Sequence, residues 1–320
     1  MMRISALRYR KSTRSLTQSF FLLILIAVMS SITTFLNPAF FSLRNWLNIL
    51  NQNAVLGIAA AGATLVMISG NFDISIGSLV GFVTTFAASL VVKGYSIFLA
   101  IFLGFLMAVF GCTLNGFVVA VTKTPSFIMT LATRSIFYGL ALVVTGGVTQ
   151  SLSGKFYLLG RGTTLGIHNP IFPFVATYIL LFLILRYTRT GRRIYAVGGN
   201  EEAAFLSGVN TLKIKILVYA LNGALVGLAS MVLLSRLGSA LPSTGSGLEL
   251  RAIAAVVIGG VPLTGGKGSA LGTFLGVVLM GLISNMLNLL NISAYYQEIV
   301  IGLVIAIAVI VSNLGGMKRK

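Results

Sequence analysis

Long apolar stretches alternate with short polar breaks along nearly the whole chain. Windows able to cross a bilayer, for which about 20 residues suffice, fall at roughly 17–36, 52–69, 74–92, 95–121, 125–146, 170–186, 214–235, 250–263, 268–290 and 296–313. The eighth is short and is broken by Gly259, Gly260, Val261 and Pro262. The pattern predicts an all-α integral membrane protein with about ten transmembrane helices. It divides the chain into a basic tail over 1–16, a polytopic domain over 17–313 and a basic tail over 314–320, with the longest polar loop at about 187–213. The first window follows a basic segment, as a secretory signal would. Its length, and the lack of a small-residue cleavage site after it, make it the first span instead.

Composition supports this reading. The chain is 57% hydrophobic and only 9% charged, with a mean hydropathy of +0.99, whereas a soluble domain carries about 25% charged residues. The net charge of +18 has an explanation in topology. With an even number of spans both termini share one side. That side collects sixteen Lys and Arg, and the other holds Arg44, Lys93, Lys155, Arg161, Arg236 and Arg251, with Arg134 left inside a span. The excess places both termini in the cytoplasm, and nucleic-acid binding is not needed to explain the charge.

Catalytic chemistry is thin. Thr264 to Ser269, TGGKGS, resembles a phosphate loop only superficially: Val261 stands where the first glycine is required, and Gly268 follows Lys267 where Ser or Thr must stand. The five carboxylates form no acid–base pair in sequence. Cys112 is the only cysteine and His168 the only histidine, so no metal or disulfide framework is expected. The chain reads as a non-enzyme without a cofactor of its own.

Polar residues inside or beside the spans are more informative. Asp73 lies in MISGNFDISIGS, between two apolar windows. At mid-membrane a carboxylate is costly and faces protein or water; at the interface it would carry no such meaning, and both placements stay open. With Asn71, Asn115, Thr130 and Asn222 it is a candidate for a solute path. Uncharged hydrogen-bonding groups suit a neutral hydroxylated solute, although they serve equally to join helices. The Gly-rich break at Ile258–Ser269 resembles the break around Asp73, as paired broken segments in two halves of a transporter would. Glycines at four-residue spacing, Gly77 with Gly81, Gly223 with Gly227, and Gly268 with Gly272 and Gly276, predict close helix packing.

The loop RRIYAVGGNEEAAFLSGV, Arg192 to Val209, is polar and helix-prone. Gly198, Gly199 and Asn200 look like a helix start, Glu201 and Glu202 suit the positive first turn, and Gly208 suits its end. Such a short helix is marginal alone. It packs on its own membrane domain or on a partner.

Several stretches together resemble the ribose-type permeases of bacterial carbohydrate ABC importers: SGNFDISIGS, TPSFIMTLAT, GRRIYAVGGNEEAAFLSGV, RLGSALPSTGSGLELRAIAAVVIGG, LTGGKGSALGT and NISAYYQ. The resemblance implies a fold like the vitamin B12 importer's ten-helix permease. It implies a dimer with a second copy or a related permease, a cytoplasmic ATPase that binds ATP, and a periplasmic or lipid-anchored sugar-binding protein. It also implies a coupling role for Gly199, Asn200, Glu201, Glu202, Phe205 and Leu206. Arg44, Arg236 and Arg251 on the outer side are candidates for docking the binding protein. Arg251 departs from the Glu-Leu-Asp-Ala usual in the family. The rival reading is an ion-coupled secondary transporter that uses Asp73.

Overall fold

The computed structural model describes residues 20–317; the basic tail 1–16 and residues 318–320 lie outside them. Apolar helices dominate: α1 (Phe20–Leu36), α2 (Leu43–Ile68), α3 (Ile76–Val92), α4 (Ile97–Thr122), α5 (Ser126–Thr145), α7 (Ile171–Tyr187), α10 (Thr211–Leu237), α11 (Leu248–Ile258), α12 (Ala270–Leu289) and α13 (Ala294–Met317). Three short helices join them: α6 (Leu158–Arg161), α8 (Arg189–Gly199) and α9 (Glu201–Leu206). By length and apolarity α2, α4, α5, α10 and α12 can each cross a membrane, and α7 with α8 forms a sixth unit bent by 76°. Shorter apolar stretches are α1, α3 and residues 295–307 of α13.

The helix α2 starts nine residues before its apolar window, at Leu43. Asn45, Asn48, Asn51, Gln52 and Asn53 make its first half polar enough to hide it from a hydropathy scan. These amides are used for packing: Asn45 and Asn285 of α12 exchange hydrogen bonds of 3.0 and 2.9 Å. Ser42 caps the helix through Asn45 N. The second half of α2 is fully enclosed, from Ile58 through Ile68.

Around α2 helices pair in registers set by small residues, antiparallel for α4 with α10 and for α11 with α12. Gly223 and Gly227 of α10 face Ala108 and Phe105 of α4, and Gly116 faces Tyr219. In lipid, helices gain little from apolar burial alone, so this close backbone approach is the main attraction. Gly272 and Gly276 likewise seat α12 against Gly259 and Ala255 of α11; Gly268, with φ +134°, is a loop residue packed on Val261. By contrast α4 and α5 are only 28% and 22% buried over their apolar windows, with Phe98, Phe102, Phe110, Ile128 and Val143 facing outward. Such faces belong in lipid or against another chain.

The bundle has two distinct ends. One carries α6 and two short antiparallel ladders. Gln150–Ser151 pairs with Ser239–Ala240, and Thr163–Thr164 pairs with Ile167–His168. The other end carries α8 and α9. Two helices start inside the bundle. After α2 the chain turns back in extended form and α3 begins only at Ile76, with Leu79 already beside Gly111 of α4. Similarly, the chain after Ser239–Ala240 descends past Gly81 at Pro242 and past Gly77 at Gly245 before α11 begins.

Candidate functional site

The extended segment 69–75 brings the five candidate path residues together. One Asp73 oxygen accepts from Ser75 N (2.9 Å) and Ser75 Oγ (2.5 Å). The other accepts from Asn222 Nδ2 (2.8 Å) and from Cys112 Sγ (3.5 Å). Asn115 Nδ2 donates to Ser75 Oγ (3.0 Å). The backbone is held too: Phe72 N donates to Ser126 Oγ, Ile74 N to Thr130 Oγ1, and Tyr219 OH donates to Phe72 O. Asn71 bonds back to Ser69. Asp73, Asn115, Thr130, Asn222 and Asn71 are all buried.

The depth of Asp73 follows from its partners. Cys112 and Asn222 lie about 15–17 Å along α4 and α10 from the end that carries α8 and α9, at 1.5 Å rise per residue. Both helices are about 39–40 Å long, so this level falls within the roughly 30 Å a hydrocarbon core occupies. A carboxylate there is tolerable because four donors and the start of α3 surround it. The cluster is a closed knot that fixes α3, α4, α5 and α10 to the break.

A second acid is held differently. Glu249, one residue before the eighth apolar window, is buried in the first turn of α11 at 2% exposure. Its Oε1 lies 3.4 Å from Arg134 Nε of α5, whose side chain is 47% exposed. Its Oε2 has no hydrogen-bond partner and lies against Gly77, where a β-carbon would collide with it.

At the other end, the loop expected at 187–213 is mostly helix. Thr188 caps α8 through Gly191 N (3.0 Å), and Gly191, Ile194 and Val197 form its buried face. Gly198 and Gly199 close α8; they do not start the next helix. Gly198 presses on α2 so closely that a β-carbon would run into the Ile68 carbonyl oxygen. The same carbonyl accepts from Gly266 N (2.8 Å), and Tyr195 OH donates to Gly268 O (2.8 Å). Burial pushes the Tyr195 phenol up to about 12, so it stays a donor. Thus α8 sits on both Gly-rich breaks at once, the one before Asp73 and the one at 259–269. From there Asn200 caps α9 through Ala203 N (2.9 Å). Glu201 pairs with Lys215 at 2.7 Å, Glu202 is exposed, and only Ala204 of this helix is buried. Phe205 and Leu206 are 65% and 78% exposed, and Phe205 lines a shallow groove with Val209 and Leu212.

The docking candidates lie toward the ladder end. Arg44 is exposed at the start of α2. Arg236 donates to Gln52 O (3.1 Å), and Arg251 is paired with Glu298. Arg236 and Arg251 line one cavity of about 220 Å³ with Gln52, Asn53, Thr244 and Ser284. Sequence reasoning missed α8 and the Arg134–Glu249 pair. The first had a signal in the spacing of Gly191, Ile194 and Val197; the second had only an unexplained Arg inside a span. Among the described residues no cluster of His, Cys, Asp or Glu could hold a metal.

A polytopic bundle of apolar helices with interrupted helices and buried polar knots fits a membrane permease. The family whose model matches residues 45–309 is described as "Branched-chain amino acid transport system / permease component". The chain is 42% identical over 289 residues to the ribose import permease protein RbsC of Bacillus subtilis, covering 89% of this chain and 90% of the relative. It is 43% identical over 303 residues to RbsC of Haemophilus influenzae, covering 93% of each. It is 35% identical over 361 aligned positions to the xylose transport system permease protein XylH of Escherichia coli, covering 92% of each. No solved structure matches the chain. The chain belongs to this permease family, in its ribose-type branch, and is the translocation subunit of an ABC importer. That membership removes the ion-coupled transporter reading.

Proposed function

We propose that the chain forms the path for a sugar or sugar-like solute in an ATP-driven importer of a bacterial inner membrane. Relatives named for ribose and xylose support the substrate class. In this reading the ten apolar helices are ten spans arranged as in the vitamin B12 importer. Both termini are cytoplasmic, a second permease completes the path, and α8 and α9 lie in the cytoplasm. A separate ATPase binds ATP and drives the permease through Gly199, Asn200, Glu201, Glu202, Phe205 and Leu206. A sugar-binding protein docks at the ladder end near Arg44, Arg236 and Arg251. The Asp73 knot holds the break beside the path rather than taking the solute.

The observation that carries this reading is the exposed pair Phe205–Leu206 on a short helix rigidly seated, through α8, on both membrane breaks. A force applied to α9 reaches the start of α3 and of α12 through backbone contacts. The test is uptake by proteoliposomes holding the permease, its ATPase and its binding protein. ATP inside should drive labelled ribose, xylose or another sugar inward, and an imposed proton or sodium gradient should not. Gradient-driven uptake without ATP would refute it.

A further inference from the structure

Arg134 is an anomaly on α5. Asp73 lies at a level that Thr130 of the same helix reaches, and Arg134 is one turn further in, about 12 Å from the start of a 20-residue helix. Its side chain is nevertheless half exposed. A guanidinium at that depth cannot face acyl chains without a large penalty, so it normally faces water, an acid or another protein. Glu249 meets it through Nε only, and no other contact of its remaining N–H donors is present among the described residues. The flank around it continues the same way: Tyr138 lies one turn from Arg134 on α5 and is 42% exposed. The opposite flank of α5 at the same level presents Ile136, 55% exposed and apolar.

We propose that Arg134, anchored by Glu249, faces a water-filled path along one flank of α5 and offers its free N–H donors to the hydroxyls of a neutral polyhydroxylated solute. The Arg–Glu pair has no net charge, so it binds hydroxyls without selecting an ion. Glu249 is a positioning residue: its buried oxygen against Gly77 fixes the acid, and the acid fixes the guanidinium. The solute class rests on the sugar reading above; the wet flank does not.

The test separates these. In a Cys112→Ser background, single Arg134→Cys, Tyr138→Cys and Ile136→Cys chains are labelled in spheroplasts and inverted vesicles with a charged, membrane-impermeant methanethiosulfonate. The reagent needs thiolate, which forms only where water reaches. Residues 134 and 138 should react about tenfold or more faster than 136. Tyr138→Cys keeps the ion pair, so it reports even if Arg134→Cys misfolds. Equal, slow labelling of 138 and 136 would overturn the proposal. In the complete importer, Arg134→Met should raise the KM for ATP-driven ribose or xylose uptake about tenfold, with partial recovery in Arg134→Lys. An unchanged KM would remove the solute contact. Should the wild-type importer move no sugar with ATP, the sugar reading fails, while the labelling result stands by itself.

Discussion

The break before α3 and the helix α9 are both short polar interruptions between apolar helices, and they are finished in opposite ways. Around Asp73 both carboxylate oxygens and the neighbouring backbone have partners in the same chain, with Asn115 Oδ1 and Asn222 Oδ1 left over, and the acid itself is 3% exposed. On α9 the caps, one ion pair and Ala204 are internal, while the two largest apolar side chains stand open. A region that satisfies itself folds the protein. A region that leaves Phe205 and Leu206 in water needs something else to cover them. In the function proposed above, the contrast separates residues that hold the permease together from residues offered to a partner.

Substitutions can break or sharpen that contrast. The largest effect is expected from Asp73→Leu. It strands Ser75, Asn222 and Cys112 without their acceptor in an enclosed site, at about 1–3 kcal/mol for each buried polar group left unpaired. Membrane-inserted protein should then fall to a small fraction of wild type, read by its yield after detergent extraction. Gly198→Val comes next. Its side chain must push α8 off the Ile68 carbonyl. The bundle should survive with thermal stability lowered by a few degrees, and uptake should drop severely because α9 loses its seat. Asp73→Asn is milder. Asn222 Oδ1 has no partner, so the Asn222 amide can turn over and accept from the amide introduced at position 73. A cost of about 1 kcal/mol is expected, with near-normal yield and reduced transport. Asn200→Ala removes one cap, worth about 1 kcal/mol of a short helix. Uptake should fall a few-fold with unchanged melting of the bundle.

Much of this was legible in the sequence. The apolar windows match the long helices because only a helix satisfies its backbone in lipid. Asn200 as a cap and Gly208 as a stop, with φ +82°, follow from local chemistry. What failed depended on distance along the chain. The first half of α2 was hidden because its amides serve α12 and not water. The helix α8 was hidden because Gly198 and Gly199, the first of which makes room for the α2 carbonyl, look like a break when read alone. The role of Glu249 was hidden because nothing near it in sequence announces Arg134 as its partner. The Asp73 partners sit on α4, α10 and the turn into α3, and their convergence could not be read from spacing.

The central claim is that α9 is finished by a separate ATPase and transmits its motion. Its most direct test is Phe205→Ser with Leu206→Ser. Both side chains are exposed, so the yield and melting temperature of the permease should be unchanged, within about 0.5 kcal/mol. Copurification of the ATPase and ATP-driven uptake should both collapse. A double variant that folds normally, retains the ATPase and imports solute at the wild-type rate would contradict the account.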